Sequence, residues 1–442
     1  MEATATRIVR RLRDAGHEAY FAGGCVRDRL LSRAAHDIDV ATSAHPADVQ
    51  KLFPRTVAVG AQFGVVVVLE DGAEFQVATF RADGVYLDGR RPESVTFTTA
   101  EGDAQRRDFT VNGLFYDPIE GKILDFVGGE KDLRAGIIRC IGEPADRFQE
   151  DKLRLLRGVR FAATLGFQID SPTWAALREL APSITAVSAE RIRDELVKIF
   201  LHPSRVRGFD LLDESGLLEI LLPEVTGMKG CEQPPEFHPE GDVFVHTRLM
   251  LSLLPETVSI PLVFSVLLHD IGKPPAAVRD ETGRIRFNGH ESVGAAMTEK
   301  IFERLRFSNA QTEATVVAVK NHMAFKDVQR MRVATLKRFL ARPTIDDELE
   351  LHRVDCLGSH GLLDNHEFLL AKREEFSRAP LIPPPLVTGQ DLISLGWKPG
   401  PHFKRVLEAV QVRQLEGSLT SRAEAMDWIA SHRDLVEKGD IP

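Results

Sequence analysis

The spacing of hydrophobic and polar positions changes near residue 143. From Glu18 to about Gly142, short runs of apolar and β-branched residues alternate with glycine-containing turns, as in AYFAGG, VVVVL, FQVATFR, SVTFTT and KILDFVGG. Such runs predict the strands of a mixed α/β domain. After Pro144 the apolar residues recur at helical spacing, as in EDKLRLLRGVRFAATL and SAERIRDELVKIF. This second pattern predicts helices.

Two proline-rich segments interrupt the helical part of the chain. KGCEQPPEFHPEGD precedes a helical block that starts near Val243, and SRAPLIPPPLVTG separates that block from a final helical segment. Proline and glycine at this density predict loops or linkers. We therefore expect four parts, with boundaries at 1–142, 143–228, 229–375 and 376–442.

The length and composition of the chain indicate a globular protein with more than one domain. A chain of 442 residues is longer than one hydrophobic core usually serves, and 43% hydrophobic with 27% charged residues is typical of a globular protein. No apolar run is long enough for a signal peptide or a membrane span, so we expect a cytoplasmic protein without a membrane partner. The four cysteines lie far apart without a CxxC pair, which argues against a disulfide framework or a zinc knuckle. The net charge of −9 argues weakly against a nucleic-acid partner.

The first candidate chemistry lies in EAYFAGGCVRDRLL and HDIDVAT. A strand, a Gly-Gly turn and a helix start would place free backbone N–H groups near Gly24, with Arg27 beside them, where a phosphate could bind. Asp37 and Asp39 are two apart in a β-like run, so both carboxylates are expected on one strand face. Paired carboxylates repel each other unless a cation lies between them, and their hard oxygens suit Mg²⁺. A solvated strand end is the alternative interpretation.

Six motifs occur in a fixed order: GGCVRD, DIDVAT, RRDFTVNG, DFVGGEKDL, EDKLRLLRGVRF and AERIRDEL. Over about half of its length the chain resembles the class II branch of tRNA nucleotidyltransferases and poly(A) polymerases, which belongs to the superfamily of DNA polymerase β. The resemblance implies a polymerase-β-like head with a mixed sheet, followed by a helical neck. It also implies that Asp37 and Asp39 hold catalytic Mg²⁺.

The activity implied by this resemblance is template-independent addition of CMP and AMP, from CTP and ATP, to the 3′ end of tRNA, with release of pyrophosphate. The product would be CCA or a terminal A. A poly(A) polymerase is the alternative with the same chemistry. The segment RADGVYLDGRRPESVTFTT, with Arg90, Arg91 and Pro92, corresponds to a flexible element that the family associates with accepting ATP after CTP.

Further nucleotide contacts are implied by RRDFTVNG. Arg107, Asp108 and Asn112 correspond to residues that contact the sugar and phosphates, and the stretch ending at Asn112 has a β-like pattern. Many relatives use a third carboxylate from a neighbouring strand. Here Gln76 occupies the expected position and Glu74 lies two residues earlier, so the third ligand is left open.

Base selection is the role implied for EDKLRLLRGVRF. The spacing of Asp151, Arg154 and Arg157 predicts one helix face. A carboxylate accepts from the amino group of cytosine or adenine while a guanidinium donates to ring acceptors. Uracil and guanine have a carbonyl at that position, so the carboxylate would face another acceptor without a hydrogen bond. An ordinary helix salt bridge is the alternative. The resemblance implies that Glu150, Asp151 and Arg154 select CTP and ATP, with Arg157 as an addition.

A second set of residues resembles the HD superfamily, through the signature HDIGK and its spacing to further histidines. The expected ligands of a divalent transition metal are His246, His269, Asp270, His290, His322 and Asp355. Metal-bound water would permit phosphohydrolase activity on a 2′,3′-cyclic phosphate, a phosphomonoester or a nucleotide. Alternatively, the HD domain is only a folded module, or the whole chain is an HD hydrolase with a nucleotide-binding regulatory head. The tail is expected to be helical, and the oligomeric state is left open.

Overall fold

The computed structural model describes residues 1–34, 37–57, 64–84, 95–234 and 241–432. Two compact units are present. Unit 1 comprises Met1–Gly227, Pro255–Val258 and Lys300–Ser308, and unit 2 comprises Met228–Leu254, Ser259–Glu299 and Asn309–Pro442. The four-part division expected from the sequence stays a prediction.

Strands of the described residues fall mainly in unit 1. In chain order they are β1 Ala19–Ala22, β2 Asp39–Thr42, β3 Thr56–Val57, β4 Val65–Glu70, β5 Ala73–Thr79, β6 Arg81–Asp83, β7 Val95–Phe97, β8 Leu114–Asp117, β9 Lys122–Asp125, β10 Ile137–Ile138, β11 Gln168–Ile169, β12 Val278–Arg279 and β13 Ile285–Arg286. The main sheet has the order β3-β4-β5-β2-β1-β8-β9. β2 and β5 pair in parallel and the other neighbours are antiparallel, which confirms the predicted mixed sheet.

Most of the other elements of unit 1 are helices, and the first three of them pack against strands of the main sheet. In chain order they are α1 Glu2–Asp14, α2 Gly24–Leu30, α3 Pro46–Leu52, α4 Ala100–Gln105, α5 Gly129–Ala135, α6 Pro144–Glu150, α7 Leu153–Leu165, α8 Ser171–Leu180, α9 Ala189–Leu201, α10 Arg205–Glu214, α11 Leu217–Leu221 and α12 Pro223–Thr226. Short 3₁₀ helices cover Thr110–Asn112 and Ala181–Ala186. From α6 onward this part is helical apart from β11, as its 3.6-residue periodicity predicts.

The two faces of the main sheet bury different side chains. One face carries large apolar residues such as Val40 and Val77, which pack with Ile8 and Leu12 of α1. The other face is lined by small residues and phenylalanines, including Ala41 and an alanine of α4. Because side chains alternate along a strand, Asp39 projects on the same face as Ala41. The small-residue face is therefore the one on which the candidate site lies.

Unit 2 is mainly helical. Its elements include a 3₁₀ helix at His322–Arg330. The helices from α13 onward are α13 Val243–Leu253, α14 Ile260–Leu268, α15 Lys273–Ala276, α16 His290–Arg304, α17 Asn309–Asn321, α18 Val333–Leu340, α19 Ile345–Gly358, α20 Asp364–Phe376, α21 Gly389–Ser394, α22 Pro401–Glu416 and α23 Arg422–Ser431. None of the helices in the described part of the chain is long and apolar enough to cross a membrane.

One helix of unit 2 is apolar on all sides. α14 buries every residue from Leu262 to Leu268 and contacts α13, α17 and α19. Such a helix is stable only when neighbours surround it. His269 follows as its C-cap, so the buried helix fixes the position of the HD sequence. The C-terminal helices α21, α22 and α23 share a separate core that includes Trp397 and Ile429.

Candidate active site and candidate metal centre

The glycine turn after β1 brings backbone close to an arginine. Gly23 has a positive φ of 75°, and a Cβ atom there would lie 2.8 Å from Nη1 of Arg107. Both facts favour glycine, because other residues rarely adopt this conformation and a side chain would displace the guanidinium. Gly24 then begins α2, which carries the buried Arg27. The strand, turn and helix predicted from the sequence are all present.

Asp39 is the first residue of β2, Asp37 lies two residues before it, and both are exposed. The strand begins at Asp39, so the expectation that both carboxylates lie within one strand was wrong for Asp37, which precedes it. The protein around Asp39 removes part of its hydration and raises its pKa; Arg107 lowers that pKa and the charge of Asp37 raises it further. Two mutually repelling carboxylates with hard oxygens fit a divalent cation such as Mg²⁺.

The neighbour of Asp39 on the adjacent strand is an amide. Val40 pairs with Val77 in the parallel β2–β5 register, so Asp39 lies beside Gln76. Glu74 is exposed on β5 two residues beyond. The side chain level with Asp39 therefore carries no charge.

A cavity of about 480 Å³ adjoins Asp39. Arginines from several elements supply most of its charged lining and outnumber its carboxylates; they include Arg81, Arg160 and Arg191. A concave site with this excess of positive charge favours a polyanionic ligand such as a triphosphate.

A hydrogen-bonded chain of side chains crosses one wall of this cavity. Arg27 Nη1 donates to Oδ1 of Asn112 at 2.7 Å, and Asn112 Nδ2 donates to Oδ1 of Asp108 at 3.1 Å. Arg157 donates to Oδ2 of Asp108 through Nε and Nη2, at 2.8 and 2.6 Å. Burial raises the pKa of Asp108, but the Arg157 charge and the hydrogen bond from Asn112 outweigh it and lower the pKa to about 2. Asp108 is therefore ionised at neutral pH and holds Arg157 in place.

A second carboxylate positions the paired arginines of RRDFTVNG. Asp103 of α4 accepts from Arg106 at Oδ1 and from Arg107 at Oδ2, with Nε–O and Nη2–O distances of 2.8 and 2.9 Å. Asp103 is buried, and both guanidiniums line the cavity. The segment after them is a 3₁₀ helix at Thr110–Asn112, so the expected β-like stretch was wrong.

The base-selecting candidates lie at a break between two helices. Asp151 is the C-cap of α6 in an extended conformation, and α7 begins at Leu153. The prediction that Asp151, Arg154 and Arg157 share one face of one helix was therefore wrong. Asp151 pairs with Nη2 of Arg191 at 2.8 Å, so the alternative of an i,i+3 pair with Arg154 does not hold either.

Arg154 is buried and anchored by three hydrogen bonds. Its Nη1 donates to Glu150 Oε2 at 2.7 Å and to the Arg147 carbonyl at 3.0 Å, and its Nη2 donates to the Arg106 carbonyl at 3.0 Å. A guanidinium has five N–H groups, so two of them are left for a ligand. Both Arg154 and Asp151 line the cavity, within one site that also includes Asp39.

In unit 2 the HD residues converge around Asp270. The Nε2 atoms of His269, His290 and His322 lie 3.0, 3.3 and 3.8 Å from a carboxylate oxygen of Asp270. His246 joins the same cluster with His269 and Asp270, and its Nε2 lies 3.1 Å from Oδ1 of Asp355. The structure thus brings together all six residues that the sequence analysis selected.

The histidine rings are oriented by backbone carbonyls. Nδ1 of His269, His290 and His322 lies 2.9, 2.7 and 2.6 Å from a carbonyl three residues earlier. Donation from Nδ1 leaves the Nε2 lone pair facing the cluster, the usual orientation of a metal-ligating histidine. Nε2 of His290 and Nε2 of His322 are only 3.1 Å apart. When both rings donate from Nδ1, their two lone pairs face each other, and a cation between them would remove the repulsion. Burial lowers the pKa of His322 to about 4. The donor set fits a divalent metal.

Three sequence models of known families match the chain in order. They are the poly(A) polymerase head domain at residues 19–139, the probable RNA and SrmB-binding site of polymerase A at 166–228, and the HD domain at 244–357. Over these residues the chain is similar to the class II tRNA nucleotidyltransferase and poly(A) polymerase family. The head model includes Asp37, Asp39 and Arg107, and the HD model includes all six HD residues. Asp151, Arg154 and Arg157 of the unit 1 cavity lie between the first two models.

The individual proteins to which the chain is similar include CCA-adding enzymes. One from Streptococcus gordonii is 44% identical over 226 residues, which cover 51% of this chain and 56% of the relative. One from Geobacillus stearothermophilus is 45% identical over 224 residues, which cover 50% and 55%. The chain therefore matches little more than half the length of these relatives. The crystal structure of the Bacillus stearothermophilus CCA-adding enzyme in complex with CTP has a TM-score of 0.72 and 27% identity, and covers 99% of this chain and 98% of that chain.

Some residues of the candidate site in unit 1 were not selected from the sequence. Arg191, Arg81 and Phe161 line the cavity; Arg191 lies within the motif AERIRDEL, which was the available signal for it. Arg90, Arg91 and Pro92 of the expected flexible element lie outside the described residues. The roles assigned to the individual site residues stay predictions.

Proposed function

We propose that this chain is a tRNA nucleotidyltransferase that adds CMP and AMP, from CTP and ATP, to the 3′ end of tRNA. The observation that carries the proposal is the cavity of unit 1, in which an arginine-rich lining adjoins the carboxylate of Asp39. The similarity to CCA-adding enzymes supports CCA addition over poly(A) synthesis and over a purely regulatory head.

In the proposed reaction the 3′-hydroxyl of the RNA attacks the α-phosphorus of the nucleotide, and the bond to the β-phosphate breaks as pyrophosphate leaves. Asp37 and Asp39 would hold Mg²⁺. Magnesium supplies positive charge that promotes loss of the hydroxyl proton and neutralises the leaving phosphates. Arg107, fixed by Asp103, is positioned to bind the phosphates. Arg27 and Asn112 orient each other at the same wall.

Base choice is proposed to depend on Asp151 and Arg154. An ionised carboxylate accepts from the amino groups of cytosine and adenine, and it faces an acceptor in uracil and guanine. The remaining N–H groups of Arg154 can donate to ring acceptors of the base. Glu150 contributes indirectly, because it accepts from Arg154 and Arg147 and so limits the rotation of both side chains.

The test is incubation of the purified full chain with tRNAs that end at the discriminator base, at C and at CC, with each NTP separately. We expect CMP addition to the first two substrates and AMP addition to the third. Asp37→Ala and Asp39→Ala should each lose all addition, while the matched surface variant Asp48→Ala should retain it. A long ladder of adenylates would contradict CCA addition, and normal rates in the double aspartate variant would contradict the assigned site.

We propose a second activity for unit 2: binding of a divalent transition metal and hydrolysis of a phosphate ester. The facing Nε2 atoms of His290 and His322 support this proposal, because a shared cation would bridge the two lone pairs of rings that both donate from Nδ1. The metal would activate a water molecule as the nucleophile. Metal analysis of the purified protein tests the proposal, and a wild-type chain without bound transition metal would contradict it.

A further inference from the structure

Two cavities of unit 2 adjoin the metal centre. One has a volume of about 560 Å³ and the other about 360 Å³. We name them the Lys326 cavity and the Phe287 cavity after one lining residue of each. His322 and Asp355 of the metal centre line both, as does His360. A phosphorus atom at the metal centre would therefore have a space of ligand size on two sides.

The Lys326 cavity offers groups suited to a nucleoside phosphate. Gln329 and Asn365 present side-chain amides there, and the two are joined by a hydrogen bond of 2.9 Å. Lys326 is exposed, and its ammonium forms no ion pair among the described residues. The exposed side chains of Met323 and Leu362 add an apolar rim. Amides can read the edge of a base while a cation attracts a phosphate.

The Phe287 cavity offers a different surface. Phe287 is half-buried and Asn288 is exposed, and Pro234 adds further apolar area. Lys273 lies 5.6 Å from the ring centroid of Phe287 and pairs with Asp270 at 2.6 Å. An aromatic face at the edge of a phosphate site is a stacking surface for a base.

His360 lies where the two cavities meet. Its Nδ1 accepts a hydrogen bond of 3.0 Å from the backbone N–H of Leu362. The neutral ring therefore carries its proton on Nε2, which makes that atom a donor. A phosphate oxygen between the cavities is the acceptor that this donor would suit.

We propose that the HD centre acts on phosphodiesters that carry a nucleoside on each side of the phosphorus, with one nucleoside in each cavity. The inference rests on the metal-dependent hydrolysis proposed above. Water attacks the phosphorus, one phosphorus–oxygen ester bond breaks, and the departing nucleoside oxygen takes a proton from that water. The products are a nucleoside and a phosphomonoester, which has one substituent and fills only one cavity.

The test measures binding as well as turnover. The metal-loaded full chain is titrated calorimetrically with adenylyl-3′,5′-adenosine carrying a phosphorothioate linkage, and separately with adenosine 5′-phosphorothioate. All titrations contain a saturating α,β-methylene analogue of CTP, because the cavity of unit 1 also suits nucleotides. We expect the diester to bind about tenfold more tightly, the size of one base-stacking contact.

Variants assign each nucleoside to its cavity. Lys326→Ala and Phe287→Ala should each weaken diester binding by about tenfold, whereas only one of them should weaken binding of the monoester. His360→Ala should weaken the binding of both the diester and the monoester. Arg330→Ala is the matched control. It removes an exposed cation from the same 3₁₀ helix, and Arg330 lies outside both cavities. This variant should bind the diester and the monoester as the wild type does.

The outcomes separate this inference from the function on which it rests. A protein that holds no metal and cleaves neither a monoester nor a diester contradicts the hydrolase proposal and the inference together. A protein that holds metal and cleaves p-nitrophenyl phosphate, but binds the two phosphorothioates equally well, overturns the inference alone. The same conclusion follows if Lys326→Ala and Phe287→Ala both leave diester binding unchanged.

Discussion

The carboxylate of Asp151 is held from both sides. Arg191 Nη2 donates to its Oδ2 at 2.8 Å, and the backbone N–H of Leu153 donates to its Oδ1 at 3.1 Å. The backbone contact alone would let the carboxylate rotate. Arg191 therefore sets the direction in which Asp151 can accept from a base.

We predict that Arg191→Ala lowers the preference for CTP over UTP by about tenfold, the value of one charged hydrogen bond. Steady-state kcat/KM for all four NTPs measures the effect. Arg193→Ala is the control, because Arg193 lies on the same helix and pairs with the exposed Asp194. An equal fall in kcat/KM for every nucleotide would mean that Arg191 has no part in base choice.

Asp108 provides a prediction for pH dependence. Its pKa is about 2 in the folded chain, below its ordinary value of 3.8. The ionised form therefore stabilises the fold above about pH 4, and this contribution is lost as the pH falls towards 2. The shift corresponds to about 2 kcal/mol.

Asp108→Asn removes this contribution. We expect the variant to be less stable than the wild type by about 2 kcal/mol between about pH 5 and 7, and the difference to shrink as the pH falls below about 4. Urea unfolding followed by circular dichroism at each pH gives the comparison. A difference that stays constant down to about pH 3 would contradict the assigned ion pair with Arg157.

At the scale of elements, a close approach between two segments shapes the candidate metal centre. A Cβ atom on Gly272 would lie 2.1 Å from the carbonyl oxygen of His290 and 2.6 Å from the backbone nitrogen of Gly294. The turn before α15 thus packs directly against the first turns of α16. This contact places Asp270 beside His290.

We predict that Gly272→Ala lowers both metal content and stability. The added methyl group must push the turn away from α16, and overpacking of this kind costs about 1–3 kcal/mol. Thermal unfolding and metal analysis of the purified variant are the measurements. Gly389→Ala is the control, because its Cβ would meet only Phe403 at 3.7 Å. Full metal content in the Gly272 variant would show that the turn can shift without moving Asp270.

At the scale of the whole molecule, the two candidate sites draw on different units. The residues that line the cavity beside Asp39 all belong to unit 1, and the six HD residues all belong to unit 2. We therefore predict that His269→Ala removes the transition metal and leaves CMP and AMP addition within about twofold of the wild type. Asp39→Ala should lose CMP and AMP addition and keep the transition metal of unit 2. A loss of addition in His269→Ala as large as that in Asp39→Ala would indicate that the sites depend on each other.

Helices and strands could be predicted from the sequence where hydrophobic positions recur at a regular spacing over several residues. The strands β1, β4, β5 and β9 and the long helices of both units follow from alternation or helical periodicity. The 3₁₀ helix at Thr110–Asn112 could not be predicted in this way, because its short apolar run fits a strand equally well. In the folded chain this segment packs against α5 and α2, contacts that its local sequence does not reveal.

The candidate chemistry of both sites could be predicted from the sequence, because the residues that indicate it are close together in the chain: Asp37 with Asp39, and His269 with Asp270. Which partners orient the other residues of the unit 1 cavity depends on how separate elements pack. Arg191 reaches Asp151 across 40 residues, Arg157 reaches Asp108 across 49, and Arg27 reaches Asn112 across 85. Local periodicity carries no information about such pairs, because they form only when separate elements pack together.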